Sequence, residues 1–154
     1  MNNKYFGCQA LILLGGTIFA WYTVSQDFAR LAEFGYEWNE FGGIFPNPMA
    51  TPCFYGAIAF LIALIGAIYI YRSKIDEIKN LWQLRLTWLL GAGVIYAISN
   101  FSYTLYKFYI LESHVGCSGA MITNPWTTPC AIGTSFFIIS FALAYFINKR
   151  RVAK

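Results

Sequence analysis

The chain has 154 residues, of which 58% are hydrophobic, 19% aromatic and only 12% charged, with a formal net charge of +4 and a mean hydropathy of +0.51. A soluble domain carries roughly twice that charged fraction, so composition excludes one. The basic balance needs no nucleic acid to explain it, because the Lys and Arg residues flank apolar segments.

The charges leave four gaps: Phe6 to Gln26, Phe41 to Tyr71, Leu86 to Tyr106 and Val115 to Asn148. A bilayer-spanning helix takes about 20 mostly apolar residues. The sequence therefore predicts an all-α integral membrane protein with four transmembrane helices, at about 6–28, 52–72, 86–110 and 129–148.

The first predicted span follows Lys4. A signal peptide is the competing reading, but the apolar run is too long for a typical h-region and no small-residue cleavage site follows, so a retained helix is expected. Cys8 reads as a small apolar residue near the bilayer edge. Gly16 and Ala20, four apart, suit close helix packing inside a bundle better than a dimerisation face. Asp27, Arg30, Glu33, Glu37 and Glu40 collect at the end of this span and in the loop after it, and Trp21 and Trp38 fit an interfacial aromatic belt.

NPMATPC, from Asn47 to Cys53, opens the second span. Proline suits the first helical position, where its missing N–H would be unpaired anyway. The threonine before it is a natural N-cap, and Asn-Pro makes a turn. A start at Asn47 would bury the Pro52 ring inside the helix, where it clashes. Cys53 thus falls at the second helical position, where free N–H groups and the helix dipole favour a thiolate.

The connection RSKIDEIKNLWQLRL, residues 72–86, spaces Ile75, Ile78 and Trp82 at helical intervals between charges. It predicts a short amphipathic helix lying along the interface, with Trp82 and Trp88 in the second aromatic belt. The third span carries Gly93 and Ala97. ESHVGCSG then places His114 and Cys117 in the loop, and NPWTTPC leads into the fourth span, with Thr128 as cap, Pro129 first and Cys130 second.

N-P-x-x-T-P-C thus occurs twice, 77 residues apart. The same shift carries Gly56 onto Gly133, and Leu13, Gly16, Ile18 and Ala20 onto Leu90, Gly93, Ile95 and Ala97. It also carries Ser25 onto Ser102, Gly42 onto Gly119 and Arg30 onto Lys107. Agreement at one offset, in helices and loop alike, predicts a tandem duplication of a two-helix hairpin, 1–77 and 78–154. Each unit crosses twice, so the repeats run parallel about a pseudo-two-fold along the membrane normal. A four-helix bundle is the economical arrangement.

Lys4, the 72–86 connection and the tail (Lys149, Arg150, Arg151, Lys154) hold all the Lys and Arg except Arg30 and Lys107. The positive-inside rule then puts both termini in the cytoplasm and both NPxxTPC segments outside, in a plasma (inner) membrane. Disulfides persist on that outer side. Three outward cysteines allow one bridge with one thiol left over: Cys53–Cys130, Cys117–Cys130 or Cys53–Cys117. A structural staple, a redox-active set and unpaired thiols all remain open. His114 with the three cysteines would complete a tetrahedral zinc set, but the irregular spacing and the absence of a CxxC pair argue against a metal. Arg30 and Lys107 read as snorkelling or ion-paired side chains. No ionisable residue lies deep in a span, and no nucleophile–base set, phosphate loop or carboxylate pair accompanies the thiols.

Four helices with Cys53, Cys117 and Cys130 at their outer side resemble the architecture of the quinone-linked membrane thiol oxidoreductases, the disulfide-formation protein B and vitamin K epoxide reductase type. In those families a CxxC pair near the outer end of a helix works with a second, loop cysteine pair. The resemblance implies thiol–disulfide chemistry at Cys53, Cys117 and Cys130. Here Cys53 precedes Phe-Tyr-Gly and Cys130 precedes Ala-Ile-Gly, so neither opens a CxxC.

Three functions follow as expectations. The most specific is a membrane thiol–disulfide redox protein using Cys53, Cys130 and Cys117 as catalytic thiols. The others are a non-catalytic membrane subunit or scaffold with a structural disulfide, and a small-solute or lipid-binding protein with a site between the repeats. The sequence specifies no cofactor. The partners expected are the lipid bilayer and another membrane or extracytoplasmic protein.

Overall fold

A computed structural model describes residues 4–34, 47–117 and 120–152. Four long helices account for most of them: α1 (Lys4–Phe34), α2 (Pro52–Arg72), α3 (Asp76–Tyr109) and α4 (Pro129–Val152). All four are long and apolar enough to cross a membrane. The described residues contain no strand, only an isolated bridge between Val115 and Met121. The expectations for Glu37, Trp38, Glu40, Gly42, Gly119 and Lys154 lie outside the described residues.

Helix α2 occupies the predicted residues, and α4 starts where the Thr-Pro signal placed it. Helices α1 and α3 run longer than expected. No proline or glycine interrupts the chain between Thr17 and Phe34, and once a helix is nucleated each added residue gains a hydrogen bond. Arg30 and Glu33 therefore belong to α1, although the sequence had placed them beyond its end, and Asp27 lies well inside the helix rather than at its margin. The same reason removes the separate interfacial helix expected at 72–86. Asp76 to Leu90 contains no breaker, so this segment forms the first turns of α3, and only residues 73–75 link it to α2. Asp76 and Glu77 sit in that first turn, where the helix dipole favours them.

Neighbouring helices run antiparallel. On α1 a Cβ at Gly7 would lie 3.7 Å from Tyr71 of α2, and at the other end Trp21 meets Phe54 edge-on at 6.2 Å. The Thr134 hydroxyl of α4 donates to the Ala97 carbonyl of α3 at 3.3 Å. Both termini and the 73–75 link thus share one end of the bundle, and both TPC segments share the other.

The core is built on close approaches. Gly16 faces the Phe60 ring, where a Cβ would come within 2.7 Å, and Gly93 faces Phe137, where it would come within 2.5 Å. The Phe60 and Phe137 rings then stack on each other with centroids 4.0 Å apart, joining α2 to α4 at mid-bundle. Leu13, Leu90, Ala63 and Ala144 are fully buried around them. The Gly16 and Gly93 positions thus pack inside the bundle, as expected.

Polar side chains inside such helices need partners, because lipid supplies none. Thr17 and Thr87 donate to the carbonyls of Leu13 and Gln83, four residues back, at 2.7 and 2.8 Å. Gln9 and Gln83 are both completely buried, and the Gln83 amide donates to Gln9 Oε1 at 3.2 Å and to the Ala144 carbonyl at 3.4 Å. This pair crosses from α1 to α3 near the end that holds the termini.

Candidate functional site

The site grows from two helix starts built the same way. At Asn47 the side-chain oxygen accepts from the Met49 N–H at 3.0 Å, and Pro48–Ala50 form a single 3₁₀ turn. Thr51 then caps α2: its hydroxyl donates to the Pro48 carbonyl at 2.7 Å and accepts from the Phe54 N–H at 3.4 Å. At Asn124 the corresponding bond to Trp126 is 2.9 Å, and Pro125–Thr127 form the 3₁₀ turn. Thr128 donates to the Pro125 carbonyl at 2.7 Å and accepts from Ala131 at 3.4 Å. Both threonines are buried. Pro52 and Pro129 take the first helical position and set Cys53 and Cys130 on the second, as the motif requires.

Cys117 reaches them from the loop between α3 and α4. His114 accepts from Ile122 and Ala120 accepts from Gly116, both at 2.8 Å, so the chain folds back on itself beside Cys117. Glu112, just before, takes a left-handed backbone with φ of 50°. Cys117 and Cys130 are joined in a disulfide that spans 13 residues. The third predicted thiol, Cys53, is free, half-buried, and holds its Sγ 3.6 Å from the Sγ of Cys117. All three sulfurs lie within 4.8 Å of one another. The structure thus unites the three residues named from sequence, and selects Cys117–Cys130 among the three pairings.

His114 is no part of this cluster. Its ring packs edge-on against Phe108 at 5.0 Å, so the four-ligand zinc set does not form. Cys8 is free and exposed near the start of α1, at the opposite end of the bundle. Arg30 donates to Asp27 Oδ1 at 3.2 Å, the ion pair that its acidic neighbours suggested. Beside it lies a cavity of about 220 Å³ that also touches Cys117. Lys107, the residue matched to Arg30, sits over the Tyr103 ring at 5.4 Å.

The sequence reading missed two features. Asp27 is buried in a helix rather than exposed in a loop. Gln9 and Gln83 meet inside the bundle, a meeting signalled only by two amides in otherwise apolar stretches. Between the two hairpins, where the small-solute or lipid-binding alternative puts a site, an apolar cleft of about 60 Å³ lies under the cysteines, bordered by Cys53, Cys130 and residues of all four helices. Its one sequence signal was the glycine that follows each TPC by three residues.

No protein-family model, curated protein or solved structure matches the chain. The geometry of the cysteines therefore carries the functional argument alone.

Proposed function

We propose that the chain is a membrane thiol–disulfide exchange protein in which one loop cysteine, Cys117, is shared by two equivalent helix-start cysteines, Cys130 and Cys53. The observation that carries this is the free Cys53 Sγ at 3.6 Å from a sulfur of the existing disulfide. Exchange proceeds by thiolate attack on a disulfide sulfur through a new disulfide. The Cys53 thiol gives up its proton and the thiolate attacks Cys117 Sγ. A Cys53–Cys117 bond forms, the Cys117–Cys130 bond breaks, and Cys130 leaves as a thiolate that takes up a proton. No net oxidation occurs in that step. Oxidation enters when a cysteine pair of a partner protein reduces the bridge, losing two electrons and two protons and acquiring the disulfide itself.

The surroundings favour such chemistry. Both helix-start cysteines occupy the second residue of their helices and hold their sulfurs within 4.8 Å of the loop cysteine they share. The two helix starts also repeat each other's Asn-Pro turn and threonine-cap bonds at an offset of 77 residues, which supports descent from one duplicated hairpin with a pseudo-two-fold axis between α2 and α4. On the charge asymmetry both termini are cytoplasmic and the thiols extracytoplasmic, the side on which disulfides persist. The partner is then an extracytoplasmic or membrane protein.

The second reading, a staple in a non-catalytic subunit, draws on the short 13-residue span of the bridge. Closing a loop of about 15 residues stabilises a fold by about 3 kcal/mol. Peptide mapping separates the two. The full chain is held in thiol–disulfide buffers of varied ratio, alkylated rapidly and mapped without reduction. Exchange gives a mixture of Cys117–Cys130 and Cys53–Cys117 that moves with the buffer. A single Cys117–Cys130 bridge at every ratio would sink the exchange reading and leave the staple.

A further inference from the structure

Four glycines, in two matched pairs, face the interior near the stacked Phe60 and Phe137 rings. Gly16 and Gly93 have a packing reason, because a Cβ on either would run into one of those rings. Gly56 and Gly133 have none: a Cβ on either would meet no atom within 4 Å. Glycine inside a helix destabilises it by about 1 kcal/mol relative to alanine. Both glycines border the apolar cleft under the cysteines, whose inner limit is the stacked pair.

We propose that this cleft binds an uncharged lipophilic molecule, whose slender apolar end lies against the bare backbone at Gly56 and Gly133 and touches Cys53 and Cys130. The lining states the chemistry. Among the described residues it holds no Lys, Arg, Asp, Glu or His. Three of its polar side chains are already engaged with backbone: Thr23 donates to the Phe19 carbonyl at 3.0 Å, Asn100 to that of Tyr96 at 2.8 Å, and Thr134 to that of Cys130 at 2.7 Å and across to that of Ala97 at 3.3 Å. A polar ligand would find few free donors, whereas an apolar end is enclosed by aromatic rings. Apolar cavities stay dry and take apolar guests.

Location and size narrow the class. The cleft runs from Pro52 to Phe60, about 12 Å along α2 at 1.5 Å per residue, inside a segment apolar enough to span a membrane. Its occupant arrives through lipid. A volume of about 60 Å³ holds the end of a chain or the edge of a ring, and the rest of the molecule extends outward. The acyl end of a bilayer lipid and a free lipophilic compound share this chemistry. The inference does not rest on exchange, since an inert Cys117–Cys130 staple would leave the cleft as it is.

The test uses the full chain in phosphatidylcholine nanodiscs, with Cys8→Ser so that Cys53 is the free thiol. N-phenylmaleimide, small and uncharged, is the cleft probe; a sulfonated maleimide is its charged counterpart. Gly56→Leu and Gly133→Leu fill the cleft. Each is expected to slow N-phenylmaleimide labelling of Cys53 by about tenfold, a barrier change of about 1.4 kcal/mol, and to leave the charged reagent unaffected. Solvent extraction and mass spectrometry then identify what the wild type retains and the filled variants lose. A phospholipid means an acyl chain, and any other apolar compound means a free lipophile. Should leucine prevent folding, Gly56→Ala and Gly133→Ala, which have open space for their methyl groups, give the same readout with a smaller effect. Wild-type labelling rates and unchanged retained molecules in folded variants would overturn the proposal. Peptide mapping of the bridge, run in parallel, reports on exchange separately.

Discussion

The two helix starts are built alike and end differently. Each has an Asn-Pro 3₁₀ turn, a buried threonine cap, proline at the first position and cysteine at the second. Yet Cys130 is bonded and Cys53 is not, although Cys53 holds its sulfur 3.6 Å from the same partner. The difference lies around the motif rather than in it. Cys117 comes from the loop that leads directly into Cys130, and Glu40 stands at its equivalent position in the other half of the sequence. The buried Asp27 is matched by Thr104, buried too but uncharged. A local motif positions the thiols, and its unequal surroundings choose between them.

The largest effect expected follows from removing the favoured partner. Cys130→Ser should transfer the bridge to Cys53–Cys117 nearly completely, because the remaining sulfurs already lie side by side. Cys53→Ser should leave Cys117–Cys130 intact. Non-reducing peptide mapping reads both. If Cys130→Ser leaves Cys53 and Cys117 as free thiols under oxidising conditions, the two helix starts are not equivalent partners and the comparison breaks.

Next in size are the matched glycines. Gly16→Leu and Gly93→Leu force a side chain into the Phe60 and Phe137 rings, an overpacking that costs about 1–3 kcal/mol. Because the two rings stack on each other, each substitution disturbs both halves, and the two losses should agree. Denaturant titration in detergent measures them. A loss confined to one variant would show that one hairpin carries the core.

The Gln9–Gln83 pair tests the opposite end. Gln83→Leu leaves the Gln9 amide without that hydrogen bond in a fully buried position, a loss of about 1–3 kcal/mol. Replacing both by leucine should recover much of it, since removing both partners of a buried pair is nearly neutral. The double-mutant cycle reads the coupling. Equal losses for the single and double variants would mean that the two amides do not support each other.

How much of this was legible in the sequence depends on the range of the forces involved. Helix α2 and both cysteine positions were readable, because Thr-Pro fixes a helix start through local hydrogen bonds and a fixed backbone angle. The extensions of α1 and α3 were not, since hydropathy marks where a helix meets lipid and says nothing of where it stops. Asp76 to Leu90 is amphipathic, and amphipathicity suits a surface helix and the first turns of a longer one equally well. The three thiols were named, but their pairing was not, because it depends on the backbone pairing of His114 with Ile122 and Gly116 with Ala120 beside Cys117. Gln9 meeting Gln83 is a contact across 74 residues, with no local trace beyond two polar letters.

The smallest effect expected is also the most discriminating. Thr51→Ala and Thr128→Ala each remove a capping hydroxyl, a change worth about 1 kcal/mol. Both hydroxyls make the same two bonds, to the proline carbonyl three residues back and from the N–H three residues on. Reduced protein should therefore lose the same stability from either substitution. Oxidised protein should not. The Cys117–Cys130 bridge tethers the second residue of α4 to the preceding loop and limits how far that start can fray, while nothing comparable holds Cys53. The Thr128→Ala loss should shrink on oxidation and the Thr51→Ala loss should stay constant. Melting each variant with and without reductant measures the four values. Should oxidation protect both helix starts equally, the bridge is being shared between Cys53 and Cys130 on the timescale of the melt, and the asymmetry belongs to one member of an exchanging pair.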